Sequence, residues 1–265
     1  SCMFTFLVQR LVQAVIVMFV ISLVAFSIQD NLGDPLREMV GQRVTEAQRE
    51  VLRTKLGLND PFMVKYSRFL KGVVHGDWGT SFIFKKPALE VILGKLVATL
   101  ELVFGASLII VVLSIPLGVY SAIHPRSILT KCIMGASIIG ISVPVFLTAI
   151  LLMYVFSVQL GWLPSYGRGE TINLLGWNSG FFTLDGLKHL ILPSVALSSI
   201  MLPLFIRLVR AEMLEVLSSE YVKFAWAKGL DKNKVWYQHA LKNTMLPVIT
   251  VGGVQIGTMV AYTIL

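Results

Sequence analysis

The sequence predicts an all-α fold: a polytopic helical membrane protein that also has a small helical region outside the cytoplasm. Of its 265 residues, 55% are hydrophobic and only 14% are charged, and the mean hydropathy is +0.75. A soluble domain normally carries about a quarter charged residues. Five apolar stretches also approach or exceed the roughly 20 residues that a helix needs to cross the hydrocarbon core of a bilayer. The sequence therefore predicts five spans.

The first predicted span covers 11–29 and contains no charged residue. Its apolar run is too long for a cleavable signal peptide, and no small-residue cleavage site follows it. The other four predicted spans are 102–123, 132–160, 190–209 and 246–265.

The connections between the spans differ in charge. The segments 1–10, 124–131 and 210–245 hold most of the Lys and Arg of the short connections. Cytoplasmic loops collect these residues, so we predict that these three segments, including the N-terminus, are cytoplasmic. The segments 30–101 and 161–189 are then predicted to lie outside.

The long segment 30–101 is predicted to be folded. Thr45 and Gln48 fit a capping box, and Gly57 is suited to end the helix that would follow. A second helix is indicated by apolar residues at helical spacing: Phe62, Tyr66, Phe69, Leu70 and Val73. Two interpretations stay open, a helical cap packed on the membrane surface or a docking surface for an extracytoplasmic partner.

Several function classes are disfavoured by the sequence. The net charge of +8 is not arranged as a basic stripe interleaved with aromatic residues, which disfavours nucleic-acid binding. Cys2 and Cys132 form neither a disulfide framework nor a metal site. No nucleophile elbow, zinc-protease motif or phosphate-binding loop occurs, so we expect a protein that is not catalytic and does not hydrolyse ATP. The histidines are scattered over loops and span ends, where we expect no metal: His75, His124, His189 and His239.

The connection between the fourth and fifth spans is predicted to form two short helices separated by a turn. Ser218 can cap the first helix, and Glu220 lies favourably in its positive first turn. Gly229 can adopt the left-handed conformation that ends this helix, and Asp231 can cap the second.

The end of the first of these helices is thin. Ala225, Ala227 and Gly229 are small enough to let the backbone or side chains of another protein approach closely. A loop that only joins two spans does not need two capped helices, whereas a loop that inserts into a groove of a partner does.

This connection resembles the EAA loop of ABC importer permeases. The residues that match the loop, in order and spacing, are Glu220, Ala225, Ala227, Gly229, Leu246 and Pro247. Further segments resemble the peptide-type branch of that superfamily: Gly33-Asp34-Pro35, Leu56 to Pro61, Gly76 to Gly79 with Ser81, Gly140 to Pro144, Leu160 to Pro164, and Ile191-Leu192-Pro193. The sequence departs from the branch at Lys223 and Trp226, where arginine is more usual.

The resemblance implies a permease subunit of an ATP-driven importer in the bacterial inner membrane, taking up dipeptides or oligopeptides. It implies a second homologous permease, two ATPase subunits that bind ATP and Mg, an extracytoplasmic substrate-binding protein, and a sixth span after Leu265. No cofactor is expected on this subunit. The predicted ATPase-coupling residues are Glu220, Tyr221, Ala225, Ala227, Gly229, Leu230 and Asp231. The same class of importer for nickel complexes, glutathione or another small solute is the alternative.

Polar residues within the spans are candidates for the translocation path. The predicted residues are Ser137, Ser142, Ser194 and Ser198, drawn from a wider set that includes Ser107 and Ser114. For each, helix packing or a bond to its own helix carbonyl is the competing interpretation. Local disturbance of a span is predicted at Pro116, Pro144 and Pro203.

A secondary transporter or channel is a more distant alternative. Such a protein would show an ionisable residue deep in a span. Glu101 is the only candidate, and it lies at an outer end.

Overall fold

The computed structural model describes residues 2–31, 50–51, 53–54, 57–81, 84–174 and 177–263. The predicted capping box at Thr45 and Gln48 lies outside the described residues. The chain divides into two compact units, Ser1–Gly94 and Lys95–Leu265.

In the first unit, helix α1 (Cys2–Asn31) extends the first predicted span at both ends. Helix α2 (Phe62–Val74) forms where the apolar spacing predicted it. Gly57 has φ +62°, and the N–H of Leu58 donates to the carbonyl of Arg53 at 3.0 Å, which confirms the predicted helix end.

The motif Gly76 to Gly79 forms the turn after α2. The N–H of Asp77 donates to the carbonyl of Gly72 at 2.8 Å, and its carboxylate accepts from the N–H of Gly79 at 3.0 Å. Gly76 and Gly79 both have positive φ, which other residues adopt only with strain. The chain then pairs Thr80 with Pro87 before the next helix begins.

Six α-helices follow α2 in the described residues. They are α3 (Ala88–Ile123), α4 (Ile128–Ser142), α5 (Val145–Met153), α6 (Leu184–Ser218), α7 (Glu220–Ala227) and α8 (Leu241–Tyr262). Two segments are π-helical: π1 (Tyr154–Gln159), which continues α5, and π2 (Lys234–Ala240), which leads into α8. Within the described residues, α1, α3, α6 and the π2–α8 segment are long and apolar enough to cross a membrane.

The third predicted span is broken rather than continuous. Helices α4 and α5–π1 meet at Val143-Pro144 with a bend of 104°, and the described residues contain five candidate spans if this bent pair, which covers the predicted span 132–160, is counted as one. The local disturbance predicted at Pro144 is confirmed, since proline lacks the N–H that would continue the helix. Pro116 and Pro203 lie inside α3 and α6, which continue through them.

Helix α6 is the central packing element of the second unit. It contacts α4, α5 and α8. Small residues allow close approach: a Cβ on Gly105 would meet Ser194 at 2.6 Å, and one on Gly140 would meet Pro203 at 2.9 Å. At 35 residues, α6 also extends well beyond the predicted span 190–209 on both sides.

A short antiparallel hairpin, absent from the sequence prediction, precedes α6. It consists of β1 (Ile172–Leu174) and β2 (Trp177–Ser179), with Asn173 opposite Asn178. The fold is otherwise helical in the described residues and is that of a polytopic helical membrane protein.

Candidate coupling loop and transport path

The coupling loop, residues 219–240, begins where α6 ends. Ser219, with φ −70° and ψ 151°, is the N-cap residue of α7, and its carbonyl accepts from the N–H groups of Val222 and Lys223 at 3.1 Å. Ser218 is still the last residue of α6, so the prediction that Ser218 caps α7 is wrong by one position. Adjacent serines are locally equivalent as caps, and the end of the preceding helix decides between them.

The end of α7 is closed by Gly229. This residue has φ +72°, and the N–H of Leu230 reaches back to the carbonyl of Ala225 at 3.4 Å. A left-handed glycine with this backward bond is the Schellman pattern of helix termination. The predicted role of Gly229 as a helix terminator is confirmed.

The second helix of the coupling loop starts at Asp231. Its carboxylate accepts from the N–H of Asn233 at 3.0 Å, and its carbonyl accepts from the N–H of Val235 at 3.0 Å. The predicted cap is confirmed. The helix that follows is π2, and π-helical turns occur frequently at functional sites.

The inner face of the coupling loop belongs to the hydrophobic core. Val222 and Ala225 of α7 and Val235 and Ala240 of π2 are buried in the same cluster as Val209 and Met213 of α6. Helices α6, α7 and π2 therefore form one packed body.

Ala225 differs from its predicted role. It is only 5% exposed, because it faces α6 and π2 rather than the surface. The prediction placed it with Ala227 and Gly229 on the surface that a partner approaches. In the structure its small side chain instead lets α7 pack closely against α6 and π2.

The outer face of the coupling loop carries the remaining predicted residues. Five of them are exposed, namely Glu220, Tyr221, Ala227, Gly229 and Asp231, while Leu230 is half-buried against the core. The Tyr221 hydroxyl lies 2.9 Å from His239 Nδ1, which links α7 to π2. Lys223 Nζ donates to Glu220 Oε1 at 2.7 Å on the same face.

The connection between α3 and α4 also contacts the coupling loop. The ring of His124 lies 4.8 Å from that of Tyr120 and 6.4 Å from that of Trp236 in π2. Sequence reasoning treated His124 as a boundary histidine and missed this contact, because no local pattern relates residues more than 100 positions apart.

A groove of about 450 Å³ lies between α3, α6 and α8. Its lining is almost entirely apolar, and no lining residue is charged. The polar side chains along it are Ser107, Ser114 and Gln255. Gly252 and Gly253 of α8 also line the groove, where they have no side chain to fill it.

The four serines predicted to line the path do not border this groove. Ser137 donates to the carbonyl of Ile133 at 2.8 Å, and Ser142 to that of Ile138 at 3.0 Å. Ser198 donates to its own helix at 2.9 Å, and Ser194 is buried beside Gly105. Three of the four therefore make the bond to their own helix that was the competing interpretation. The two serines that border the groove, Ser107 and Ser114, come from the wider set.

A buried ion pair holds the loop before α6. Glu101 of α3 is 6% exposed and accepts from Arg168 Nη2 at 3.0 Å and from the N–H of Gly180 at 2.8 Å. Arg168 also donates to the carbonyl of Asn178 in the hairpin. Glu101 thus attaches to α3 both Arg168, which precedes the hairpin, and Gly180, which follows β2. The signal in the sequence was the isolated acidic residue beside a long charge-free run.

The start of α6 completes this network. Thr183 is the N-cap, and its hydroxyl oxygen accepts from the N–H of Gly186 at 2.9 Å. The carboxylate of Asp185 accepts from the N–H of Glu170 at 2.9 Å. The loop is therefore attached through polar contacts at several points.

Comparison with known proteins identifies the family. Residues 114–265 match the family described as binding-protein-dependent transport system inner membrane component, and residues 3–103 match the corresponding N-terminal region. The chain is 33% identical to the dipeptide transport system permease protein DppB of Alkalihalophilus pseudofirmus, over 99% of this chain and 83% of the relative. It is 36% identical to the oligopeptide transport system permease protein AppB of Bacillus subtilis, over 97% and 80%.

A third relative carries a different substrate name. The glutathione transport system permease protein GsiC of Escherichia coli K12 is 30% identical, over 99% of this chain and 81% of the relative. The matches cover both compact units and include the coupling loop and the groove. This chain belongs to the family of binding-protein-dependent transport system inner membrane components.

Proposed function

We propose that this chain is one of two permease subunits of an ATP-driven importer, and that it forms half of a path for dipeptides or oligopeptides. Relatives named as dipeptide and oligopeptide permeases, at 33% and 36% identity over nearly the whole chain, support the substrate class. The glutathione permease relative supports glutathione as the second candidate.

The partners follow from this function. A second homologous permease completes the path, two ATPase subunits bind ATP and Mg, and an extracytoplasmic binding protein delivers the substrate. This subunit binds no cofactor itself. Its N-terminus and coupling loop face the cytoplasm, in agreement with the Lys and Arg bias of the short connections.

The observation that carries the proposal is the two-faced coupling loop. Its outer face is exposed, while its inner face shares a core with α6 and leads through π2 into α8. A partner that pushes on the outer face therefore moves two membrane helices, because α7 and π2 cannot shift without displacing Val209 and Met213. Such rigid displacement is what alternating access requires.

The groove supplies the corresponding part of the path. It lies between α3, α6 and α8, the same helices that the coupling loop and the small-residue contacts connect. Its lining offers two serine hydroxyls, one amide and no fixed charge. A wall of this kind tolerates varied side chains, and discrimination then rests with the binding protein.

Reconstituted transport tests the proposal. The chain, its co-encoded permease, the ATPases and the binding protein are placed in vesicles, and ATP-dependent uptake of labelled dipeptides, oligopeptides, glutathione and nickel complexes is measured. Peptide uptake that requires every component supports the proposal. Uptake of only glutathione or nickel complexes would reject the peptide assignment, and uptake without the ATPases would reject the importer class.

Topology is tested on whole cells. Single cysteines replace Lys86 and Lys232, both exposed, in a background in which Cys2 and Cys132 are serine. An impermeant thiol reagent should label position 86 and not position 232. Labelling of position 232 from outside would reverse the orientation.

A further inference from the structure

The connection between α3 and α4 is held firmly to both helices. The Tyr120 hydroxyl in α3 lies 3.2 Å from Ser127 Oγ, and Ser127 caps α4 by accepting from the N–H of Thr130 at 3.2 Å. Thr130 is 2% exposed, and its hydroxyl donates to the carbonyl of His124 at 2.8 Å. Residues 124–127 are therefore fixed to the end of α3 and to the start of α4.

The imidazole of His124 joins this connection to the coupling loop. Its ring is tilted by 31° against that of Tyr120 at a centroid distance of 4.8 Å, and it meets the ring of Trp236 at 69° and 6.4 Å. Aromatic rings attract in tilted and edge-to-face arrangements at centroid distances of about 4.5–7 Å. Trp236 in turn packs against the hydrophobic core that α6, α7 and π2 share. His124 thus lies between α3 and π2.

The last two turns of α3 also pack against α6. A Cβ on Gly118 would lie 2.7 Å from the Cβ of Val209, so the two helices approach closely there. One turn further along α3, the carbonyl of Ser121 accepts from Arg210 Nε at 3.4 Å. Helix α3 is thus attached to the packed body of α6, α7 and π2 at two places, once at Gly118 and Ser121 and once at His124.

The two attachments differ in the element that they follow. Val209 belongs to α6, whereas Trp236 belongs to π2, which contacts α6, α7 and α8 and leads from the coupling loop into α8. The ring contact therefore joins α3 to the segment that the coupling loop and α8 share. Because Thr130 fixes the backbone of His124 to α4, a displacement of π2 that carries His124 also reaches α4.

We propose that residues 124–127 are a second coupling element, in which His124 passes a displacement of π2 to α3 and α4. This inference rests on the proposed function, since the displacement is attributed to ATPase subunits that act on the coupling loop. His124 acts as a positioning residue. Because α3, α6 and α8 border the groove, the groove keeps its shape when these helices move together, and the path opens against the second permease.

Transport by the reconstituted complex tests the role of His124. His124→Ala removes the ring contact and should lower peptide uptake per ATP hydrolysed severalfold. ATPase association and the thermal unfolding temperature should stay at the wild-type level, because the side chain is exposed. His124→Phe keeps a ring between Tyr120 and Trp236 and should restore most of the uptake per ATP.

Two further variants separate the ring contact from other effects. Arg126→Ala changes an exposed neighbour in the same connection and should leave uptake per ATP unchanged. If His124 acts through Trp236, adding His124→Ala to Trp236→Leu should cost no more than Trp236→Leu alone. Additive losses would show that His124 acts elsewhere and would overturn the proposal.

Three results with His124→Ala itself would also overturn the proposal. Unchanged uptake per ATP would show that the contact passes on no movement. An equal loss in His124→Ala and His124→Phe would show that the ring contact is not responsible. A lower unfolding temperature, with uptake reduced only in proportion to the folded complex, would show a purely structural role.

Distances between spin labels test the movement itself. Cysteines replace Arg126 and Lys232, both exposed, in a chain whose Cys2 and Cys132 are serine. The nucleotide-free complex is compared with the complex trapped by ATP and vanadate. The distance between the labels should be the same in both states and should shift or broaden on trapping once His124→Ala is added. A shift without that substitution, or no shift with it, would overturn the proposal.

Uptake by the unsubstituted complex distinguishes the two levels of inference. If that complex shows no ATP-dependent peptide uptake, the proposed function fails and the second coupling element fails with it. If it takes up peptide while the labels at positions 126 and 232 move apart on trapping, the proposed function stands and only the second coupling element is rejected.

Discussion

The loops that precede and follow α6 are held to the helices by opposite kinds of contact. The following loop, 219–240, buries an aliphatic face in the core and exposes its charged residues. The preceding loop is attached mainly through Arg168 and the N–H of Gly180, which both donate to the buried carboxylate of Glu101 in α3. One attachment is apolar, and the other is polar and consists of the Glu101–Arg168 ion pair together with hydrogen bonds at the start of α6.

The difference indicates what each loop can do. Close-packed apolar contacts have few alternative arrangements, so a displacement of α7 passes directly to α6 and α8. Polar contacts of this kind can open locally, because their partners exchange them for hydrogen bonds with water. We therefore expect the coupling loop to move as part of the spans and the preceding loop to open locally.

The largest effect is expected from Ala225→Glu. Position 225 lies on the buried face of α7, where it belongs to the hydrophobic core. The substitution therefore overpacks this contact, at a cost of about 1–3 kcal/mol, and also buries an unpaired charge. Hydrogen exchange should accelerate throughout 219–240, and the thermal unfolding temperature of the purified permease should fall.

Ala227→Glu is the matched control for this prediction. Position 227 is exposed on the same helix, so the free energy of unfolding should change by no more than about 0.5 kcal/mol. A loss of ATPase association in Ala227→Glu at unchanged stability would identify a contact surface. Equal destabilisation by both substitutions would contradict the two-faced loop.

The next largest effect is expected from Glu101→Ala, which removes the buried partner of Arg168. Breaking a buried pair costs about 3–5 kcal/mol, and the effect here should lie at the low end because the Arg168 side chain is 31% exposed. Hydrogen exchange should accelerate in 161–183 while the coupling loop stays protected. Glu101→Gln keeps an acceptor for the N–H of Gly180 and should be milder. Unchanged protection of 161–183 in Glu101→Ala would show that the pair is not the attachment.

Local features of both loops were predictable from the sequence. Gly229 and Asp231 were assigned correctly because a left-handed helix end and an N-cap each depend on a few neighbouring residues. The break at Pro144 was predictable for the same reason, because proline lacks the N–H that would continue the helix at that position. The spans were predictable from charge-free runs, because charged side chains are rare in segments that lie in the hydrocarbon core of a bilayer.

Features that depend on distant residues were not predictable. Ala225 is buried because α6 and π2 pack against it, and a small side chain is equally compatible with a buried position and with a surface that a partner approaches. Glu101 and Arg168 are 67 positions apart, and no periodicity relates them. The groove, too, is lined by residues that meet only after α3, α6 and α8 have packed, and none of the four predicted path serines borders it.

Gly229→Val should have a smaller and purely conformational effect. A Cβ at this position would meet nothing within 4 Å in the chain, so the cost is the left-handed backbone, about 1–2 kcal/mol. Gly229→Asn should cost less, since asparagine tolerates this conformation. The measurement is thermal unfolding of both variants, and similar losses for valine and asparagine would show that volume rather than conformation decides at this site.

The smallest effect is expected from Lys223→Ala. The bond from Lys223 to Glu220 is short at 2.7 Å, but both side chains are largely exposed, and helix pairs of this spacing contribute only about 0.2–0.5 kcal/mol. Glu220→Ala should cost more than Lys223→Ala, because Glu220 also lies in the first turn of α7, where a negative charge interacts favourably with the helix dipole. A double-mutant cycle in thermal unfolding isolates the coupling between positions 220 and 223, which should vanish in high salt. A coupling energy that persists in high salt would mean that this pair is shielded from water as Glu101 and Arg168 are, and the contrast between the two loops would no longer hold.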